Sequence, residues 1–336
     1  MRKSAALGSL VFFAVVALAA CKHSTAEDGS RGPEPSLAEP PDDTRVALGE
    51  SQMKSGGRTR SFLFYTPARA DGQPLPMVLA LHGRLGNGKG MAKLSHLQRI
   101  AAREGFVVVF PDGYRRSWHD LRESGPAAED QVDDVGFLTD LVSLFVKEHG
   151  VDPARVYVAG MSNGGFMAGT LACKATTVFA AFAEVAATAS FDLSSTCKPA
   201  APVPGLFIVG ELDPLVPYRG GPIARDDSGK KGVGLAAEPT ARFFAKANGC
   251  TAEAPSDLPD ADPGDTLRSS LLSFTGCTAD ASVDLITVHG GGHAWPGGWG
   301  YLPERLIGKT TRDFEASERI WAFFKDKRRA ARPPGP

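Results

Sequence analysis

Apolar positions along this chain fall into short unbroken runs separated by stretches with helical spacing. Phe62–Tyr65 alternates and reads as an early strand. Met77–Leu81, Phe106–Phe110, Val156–Ala159 and Leu206–Gly210 are continuous runs, the pattern of strands buried on both faces, and Phe179–Ala186 and Val283–Val288 read as further strands. Between them Leu94–Glu104, Val132–His149, Phe166–Cys173, Thr240–Asn248 and Arg312–Lys325 read as helices. That order predicts an α/β fold, with a mostly parallel central sheet and helices on both faces. Asp133 and Asp134 open one helix and are expected to serve its N-terminus. Gly220–Gly234 is rich in glycine and lysine and reads as a mobile loop. Asp257, Asp260, Asp262 and Asp265 crowd another segment, which reads as a solvated acidic loop rather than a calcium site, because no ion-binding spacing accompanies them.

The N-terminus departs from this rhythm. Met1-Arg2-Lys3 is followed by an apolar run over Ala5–Ala20 that ends in Leu18-Ala19-Ala20-Cys21. A basic start, a short apolar stretch and small residues before a cysteine predict a lipoprotein signal over 1–21, with Cys21 as the lipidated mature terminus. Residues 22–44 carry Pro33, Pro35, Pro40 and Pro41 among Glu, Asp and Ser, and predict a disordered tether. The catalytic domain is then expected over 45–327, with a frayed tail at 328–336. The protein is expected to be exported and held at the cell envelope, with the lipid as its only membrane contact. A formal net charge of −1 implies no nucleic acid or polyanion as partner. Beyond Cys21 stand Cys173, Cys197, Cys250 and Cys277, and an even number in an exported chain implies two disulfides. Three pairings are open, of which the sequential one, Cys173–Cys197 with Cys250–Cys277, is simplest. No Cys-x-x-Cys or paired-histidine spacing suggests a metal.

Chemistry enters at Gly160-Met161-Ser162-Asn163-Gly164, a G-x-S-x-G placed between a strand and a helix. Such a turn lifts the serine hydroxyl to the end of the strand, with the next N–H and the helix start facing the same spot. A carboxylate and then a histidine should follow downstream. Asp213 opens an Asp-Pro turn past Leu206–Gly210 and is preferred to Glu211. His293 lies in a glycine-rich loop past the last strand and is preferred to His289. Upstream, His82-Gly83-Arg84 ends the strand at Met77–Leu81, where this chemistry builds the second half of an oxyanion hole. Asn163 and Arg84 are the expected main-chain donors, and His82 is expected to brace the turn. Trp118, in a loop at the C-terminal end of a strand, is expected either to touch substrate or to cover the core. Trp295, two residues past His293, is expected to form a flat substrate wall, with inward packing as the alternative.

Leu81–Gly83, Gly160–Gly165, Asp213–Tyr218 and Gly290–Gly297, together with Ser117–Asp120, Asp133–Phe137 and Asn248–Cys250, resemble the secreted polyhydroxybutyrate depolymerase-like esterases, a group that includes feruloyl and acetylxylan esterases. The resemblance runs from about Thr59 to Lys325 and implies an α/β-hydrolase. It also implies Ser162 as nucleophile, His293 as base, Asp213 as orienting acid, no cofactor, and the sequential disulfide pairing. Arg84 departs from the small residue or cysteine common after the His-Gly. The implied function is an exported, monomeric serine esterase acting on polyhydroxyalkanoate-type or polysaccharide-linked feruloyl or acetyl esters. Without an added polymer-binding domain, the expectation tilts to the polysaccharide-linked esters. The alternatives are a serine peptidase on the same fold and a non-catalytic cell-surface binding protein.

Overall fold

Ten strands form one sheet, each continuous apolar run of the sequence making an inner one. In chain order they are β1 (Gly49–Ser55), β2 (Arg58–Tyr65), β3 (Leu75–Leu81), β4 (Val107–Pro111), β5 (Val151–Met161), β6 (Ala181–Val185), β7 (Gly205–Gly210), β8 (Ala252–Asp257), β9 (Arg268–Thr275) and β10 (Val283–His289). The spatial order is β1-β2-β4-β3-β5-β6-β7-β10-β9-β8. From β4 to β10 all neighbours are parallel, and antiparallel pairs close both edges. The computed structural model describes residues 46–68, 72–225 and 231–329, all within the unit Glu39–Pro336. The signal segment 1–21, the tether 22–44 and the last residues of the tail lie outside the described residues, as does part of the Gly220–Gly234 loop.

Strand periodicity divides the core in two. Leu79, Val109, Val158, Phe182 and Phe207 point to one face, where α3 (Asp134–His149), α4 (Asn163–Lys174) and α5 (Ala237–Ala247) cover them. Val78, Val108, Tyr157, Ala183 and Ile208 point to the other, under α1 (Gly88–Ser95), α2 (Leu97–Glu104) and α6 (Ala316–Phe324). An inner strand therefore favours apolar side chains on both faces, which is why these runs are nearly continuous, with Glu184 on β6 and Asp284 on β10 as exceptions.

Three expectations change. The helix over Leu94–Glu104 is two helices, broken at His96, whose φ of 51° is left-handed. Ser95 Oγ meets both the Met91 carbonyl and the Leu97 N–H at that break, so a local side-chain bond replaces helix continuity. The segment around the clustered aspartates is largely a hairpin, β8–β9. Every residue of β8 is exposed, and Pro255 is tolerated because β8 is an edge strand. Its pairing is backbone alone, and an apolar pattern is absent. Asp133 caps α3 as expected, accepting from Gly136 N, but Asp134 is a buried ion-pair partner of Arg60 at 2.7 Å. Burial pushes the Asp134 carboxyl up while Arg60 pulls it back.

Both disulfides follow the sequential pairing, Cys173–Cys197 and Cys250–Cys277. Cys277 precedes β10 and His293 follows it, so seven residues of strand, roughly 20 Å, separate that bridge from the histidine loop. The bridge therefore braces the scaffold and not the loop. Replacing Cys250 and Cys277 by serine should lower unfolding free energy by about 3 kcal/mol and leave kcat unchanged. Denaturant midpoints and ester turnover on the same preparation check both halves.

Candidate active site

Val151–Met161 carries the chain up the middle of the sheet, and the next residue cannot continue it. Ser162 sits at φ 54° and ψ −120°, a conformation that L-residues rarely adopt. Sterics hold it there. A side chain on Gly160 would come within 2.1 Å of the Gly164 carbonyl oxygen, and one on Gly164 within 2.3 Å of the Leu81 oxygen. Strand end and helix start are thus pressed against each other and against β3, with Ser162 on the outside of the bend. Its N–H donates to the Val185 carbonyl at 2.9 Å, and its own carbonyl accepts from Phe166 in the first turn of α4. Ser162 remains partly exposed.

Asp213 follows β7 and is buried. One carboxylate oxygen accepts from the N–H groups of Leu215 and Val216, at 2.7 and 2.8 Å. The other accepts from His293 Nδ1 at 2.7 Å. With Nδ1 protonated for that bond, the lone pair of His293 is on Nε2. The histidine backbone is fastened as well: its N–H donates to the Ile307 carbonyl, and its own carbonyl accepts from Tyr301 Oη at 2.9 Å. Burial, then the nearby Asp213 charge, pushes the Tyr301 hydroxyl up, so it stays a donor. The rejected neighbours pair with each other instead. Glu211 meets His289 Nδ1 at 3.3 Å on the surface, and His289 Nε2 meets Ser270 Oγ. Ser162, Asp213 and His293 thus stand at the C-terminal ends of β5, β7 and β10, on one edge of the sheet.

Next to Ser162 lies the turn after β3. A side chain on Gly83 would sit 3.4 Å from Ser162 Cβ, so the main chains are close there. Among the described residues neither the Arg84 N–H nor the Asn163 N–H has an acceptor. The Arg84 guanidinium turns aside to Ser124 Oγ at 3.0 Å. His82 has the bracing place: Nδ1 faces the Gly83 carbonyl at 2.7 Å, and Nε2 accepts from Gly113 N at 2.9 Å.

Both tryptophans are buried. Trp295 is 2% exposed, packs in the core under α1 and α6, and donates from Nε1 to Ser317 Oγ at 3.1 Å. A glycine-rich loop cannot anchor itself, and this ring pins it, so the expected wall is an inward anchor. Trp118 is fully buried with Nε1 on the His82 carbonyl at 2.9 Å. Sequence reasoning missed Tyr301, Ile307 and the two N–H groups that hold Asp213. A lone tyrosine in the loop past the histidine was the one readable signal. A cleft of about 470 Å³ lined by Tyr218, Arg242, Leu272 and His289 opens between α5 and the β8–β9 hairpin, with none of Ser162, Asp213 or His293 on its walls.

Residues 60–198 match the family model described as Esterase PHB depolymerase. Over 278 residues the chain is 31% identical to "Putative esterase NocK" of Nocardia uniformis, covering 80% of each chain. It is 31% identical over 225 residues to feruloyl esterase B of Piromyces equi, covering 65% of this chain and 39% of that protein. An acetyl xylan esterase structure from Aspergillus awamori superposes with a TM-score of 0.51 at 15% identity, over 73% of this chain and 94% of that one.

Burial holds the His82 imidazole at a pKa of about 4, against an ordinary 6.5. Between those values the unfolded chain binds the extra proton and the folded one does not, so stability falls as pH drops through that window. The full cost is about 3 kcal/mol, reached below pH 4. His82→Gln keeps an acceptor for Gly113 and should flatten this acid limb, read from urea midpoints between pH 7 and 4.

Proposed function

Because this chain belongs to the polyhydroxybutyrate depolymerase-type esterases of the α/β-hydrolase fold, and is thus a carboxylic ester hydrolase, we propose that it works through an acyl-enzyme formed on Ser162. The observation that carries the reading is the buried 2.7 Å bond from His293 Nδ1 to Asp213, on the same sheet edge as a serine in a strained turn. His293 Nε2 takes the Ser162 proton as Oγ attacks the ester carbonyl, and the imidazolium is steadied by Asp213. The N–H groups of Asn163 and Arg84 receive the oxyanion, each contributing about 3 kcal/mol to the transition state. His293 then passes the proton to the leaving alkoxide. Water attacks the acyl-enzyme by the same route and frees Ser162.

The substrate favoured is an aliphatic, polyhydroxyalkanoate-type ester. Among the described residues the exposed large apolar side chains are Leu85, Phe191, Leu212, Val233, Leu302 and Leu306, and Leu85 and Leu212 are each 67% exposed. All six belong to segments that follow β3, β6, β7 or β10 in the chain. Apolar side chains of this kind gain by covering an aliphatic chain. The two tryptophans that could have stacked on a sugar or phenolic ring are buried, so neither offers an aromatic platform to a polysaccharide-linked ester. Export with a lipid on Cys21 completes the reading, and two disulfides suit an oxidising compartment.

Ser162→Ala, His293→Ala and Asp213→Asn should each cut p-nitrophenyl ester turnover by at least about 10³-fold while leaving the fold intact by circular dichroism. Near-normal turnover by Ser162→Ala would falsify the mechanism. Hydroxybutyrate trimer should be cleaved with a higher kcat/KM than methyl ferulate or acetylated xylan, and Leu212→Ser with Leu302→Ser should erode that preference. The reverse ranking, unmoved by those changes, rejects the polyester assignment. Cys21→Ser should abolish lipid labelling in a bacterial host, whereas normal processing of that variant means an ordinary secretory signal.

A further inference from the structure

One segment outside the catalytic set, buried at Ser117, Trp118, Asp120 and Arg122, grips both turns that would hold the oxyanion. It is the loop after β4, from Gly113 to Arg122, which carries the Ser-Trp-x-Asp of the sequence. Toward the turn after β3 it makes three bonds beside a longer one from Arg116 Nε to the Gly86 carbonyl. Gly113 N donates to His82 Nε2, Trp118 Nε1 donates to the His82 carbonyl at 2.9 Å, and the Arg116 carbonyl accepts from Leu85 N at 2.9 Å. Those contacts bracket Arg84 on both sides in sequence. Toward the turn after β5 it makes three more. Trp118 N donates to Asn163 Oδ1 at 2.8 Å, and Asn163 Nδ2 donates to the Trp118 carbonyl at 3.0 Å and to Asp120 Oδ2 at 2.7 Å.

The Asn163 side chain is therefore fully engaged with this loop, while its main-chain N–H has no acceptor among the described residues. The far side of the clamp is fixed in turn. Asp120 is 1% exposed and receives Arg122 Nε at 3.0 Å and a second guanidinium nitrogen. The Arg122 guanidinium lies 3.7 Å from the centre of the Phe166 ring, and Thr170 Oγ1 donates to the Asp120 carbonyl at 3.1 Å, both on α4. Buried, mutually satisfied hydrogen bonds of this kind define a single geometry, since breaking any one strands a polar group in the core.

We infer that Trp118 and the Asn163 side chain are positioning residues: through the loop that joins them they set the spacing between the Arg84 and Asn163 N–H groups, and so the shape of the oxyanion hole. The inference rests on the serine-esterase reading above. Oxyanion donors act only when they lie within hydrogen-bond range of where the charge develops, so a shift of either turn costs the transition state more than the bound ester. Trp118→Phe keeps a ring in the core and deletes the bond to His82. Asn163→Ala keeps the N–H and deletes the grip.

Each variant should lower kcat for a p-nitrophenyl ester by about 10- to 100-fold with KM within about twofold. The inhibition constant of an alkyl trifluoromethyl ketone, whose serine adduct carries the same oxyanion, should rise by the same factor. The double variant should lose far less than the product of the single losses, because both act through one clamp. A thermal shift with kcat and ketone affinity unchanged would mean packing alone and overturn the inference, as would multiplicative losses. If Trp118→Phe does not fold, Asn163→Ala decides by the same kcat and ketone readings. Ser162→Ala, run alongside, separates the two levels: an active Ser162→Ala fails the esterase mechanism, whereas an inactive Ser162→Ala with an undiminished Trp118→Phe and Asn163→Ala fails only the clamp.

Discussion

Everything chemical in this molecule follows from strands that are buried on both faces and paired on both sides. Between β4 and β10 no strand has a free edge, and each faces a helix layer above and below. Polar side chains can then be placed economically only where strands stop. The sheet delivers Ser162, Asp213 and His293 to one edge, and the price is paid in glycine: the sharp bend at Ser162 exists because Gly160 and Gly164 bring backbone against backbone.

The same burial makes the exceptions informative. Glu184 lies on β6 with no exposure and, among the described residues, no hydrogen-bond partner, and burial holds its carboxyl well above the usual range. Asp120 and Asp134 are also buried, but each has an arginine, and each arginine lies over a phenylalanine ring of a helix, Arg122 over Phe166 and Arg60 over Phe137. Buried acids thus occur here in two ways, one whose carboxyl burial alone pushes up, and two in ion pairs, of which Arg122 holds a loop and Arg60 a strand against a helix.

What could be read from sequence was whatever leaves a local mark. Inner strands were legible because burial on two faces favours a nearly continuous apolar run, and Ser162, Asp213 and His293 because glycine and proline punctuate the turns that present them. The edge hairpin was not, since β8 is exposed throughout and pairs by backbone alone. The break at His96 turns on one serine hydroxyl. Trp118 and Trp295 could be read either way for a different reason. A loop position says that a side chain leaves the strand, but only the packing of α1, α6 and the turn after β3 says that both rings go inward. The partners that hold His293 and Asp213 are mostly carbonyl and amide groups, which every residue has and no sequence pattern marks.

The six exposed apolar side chains have a colloidal consequence. A formal net charge of −1 gives two approaching molecules little electrostatic reason to stay apart. Leu85 and Leu212, exposed just past two strand ends, are then places where apolar contact can begin. Such side chains are best covered when they lie on something else. Adsorption to an apolar phase and self-association compete for the same leucines, and the balance between them depends on which of the two is on offer.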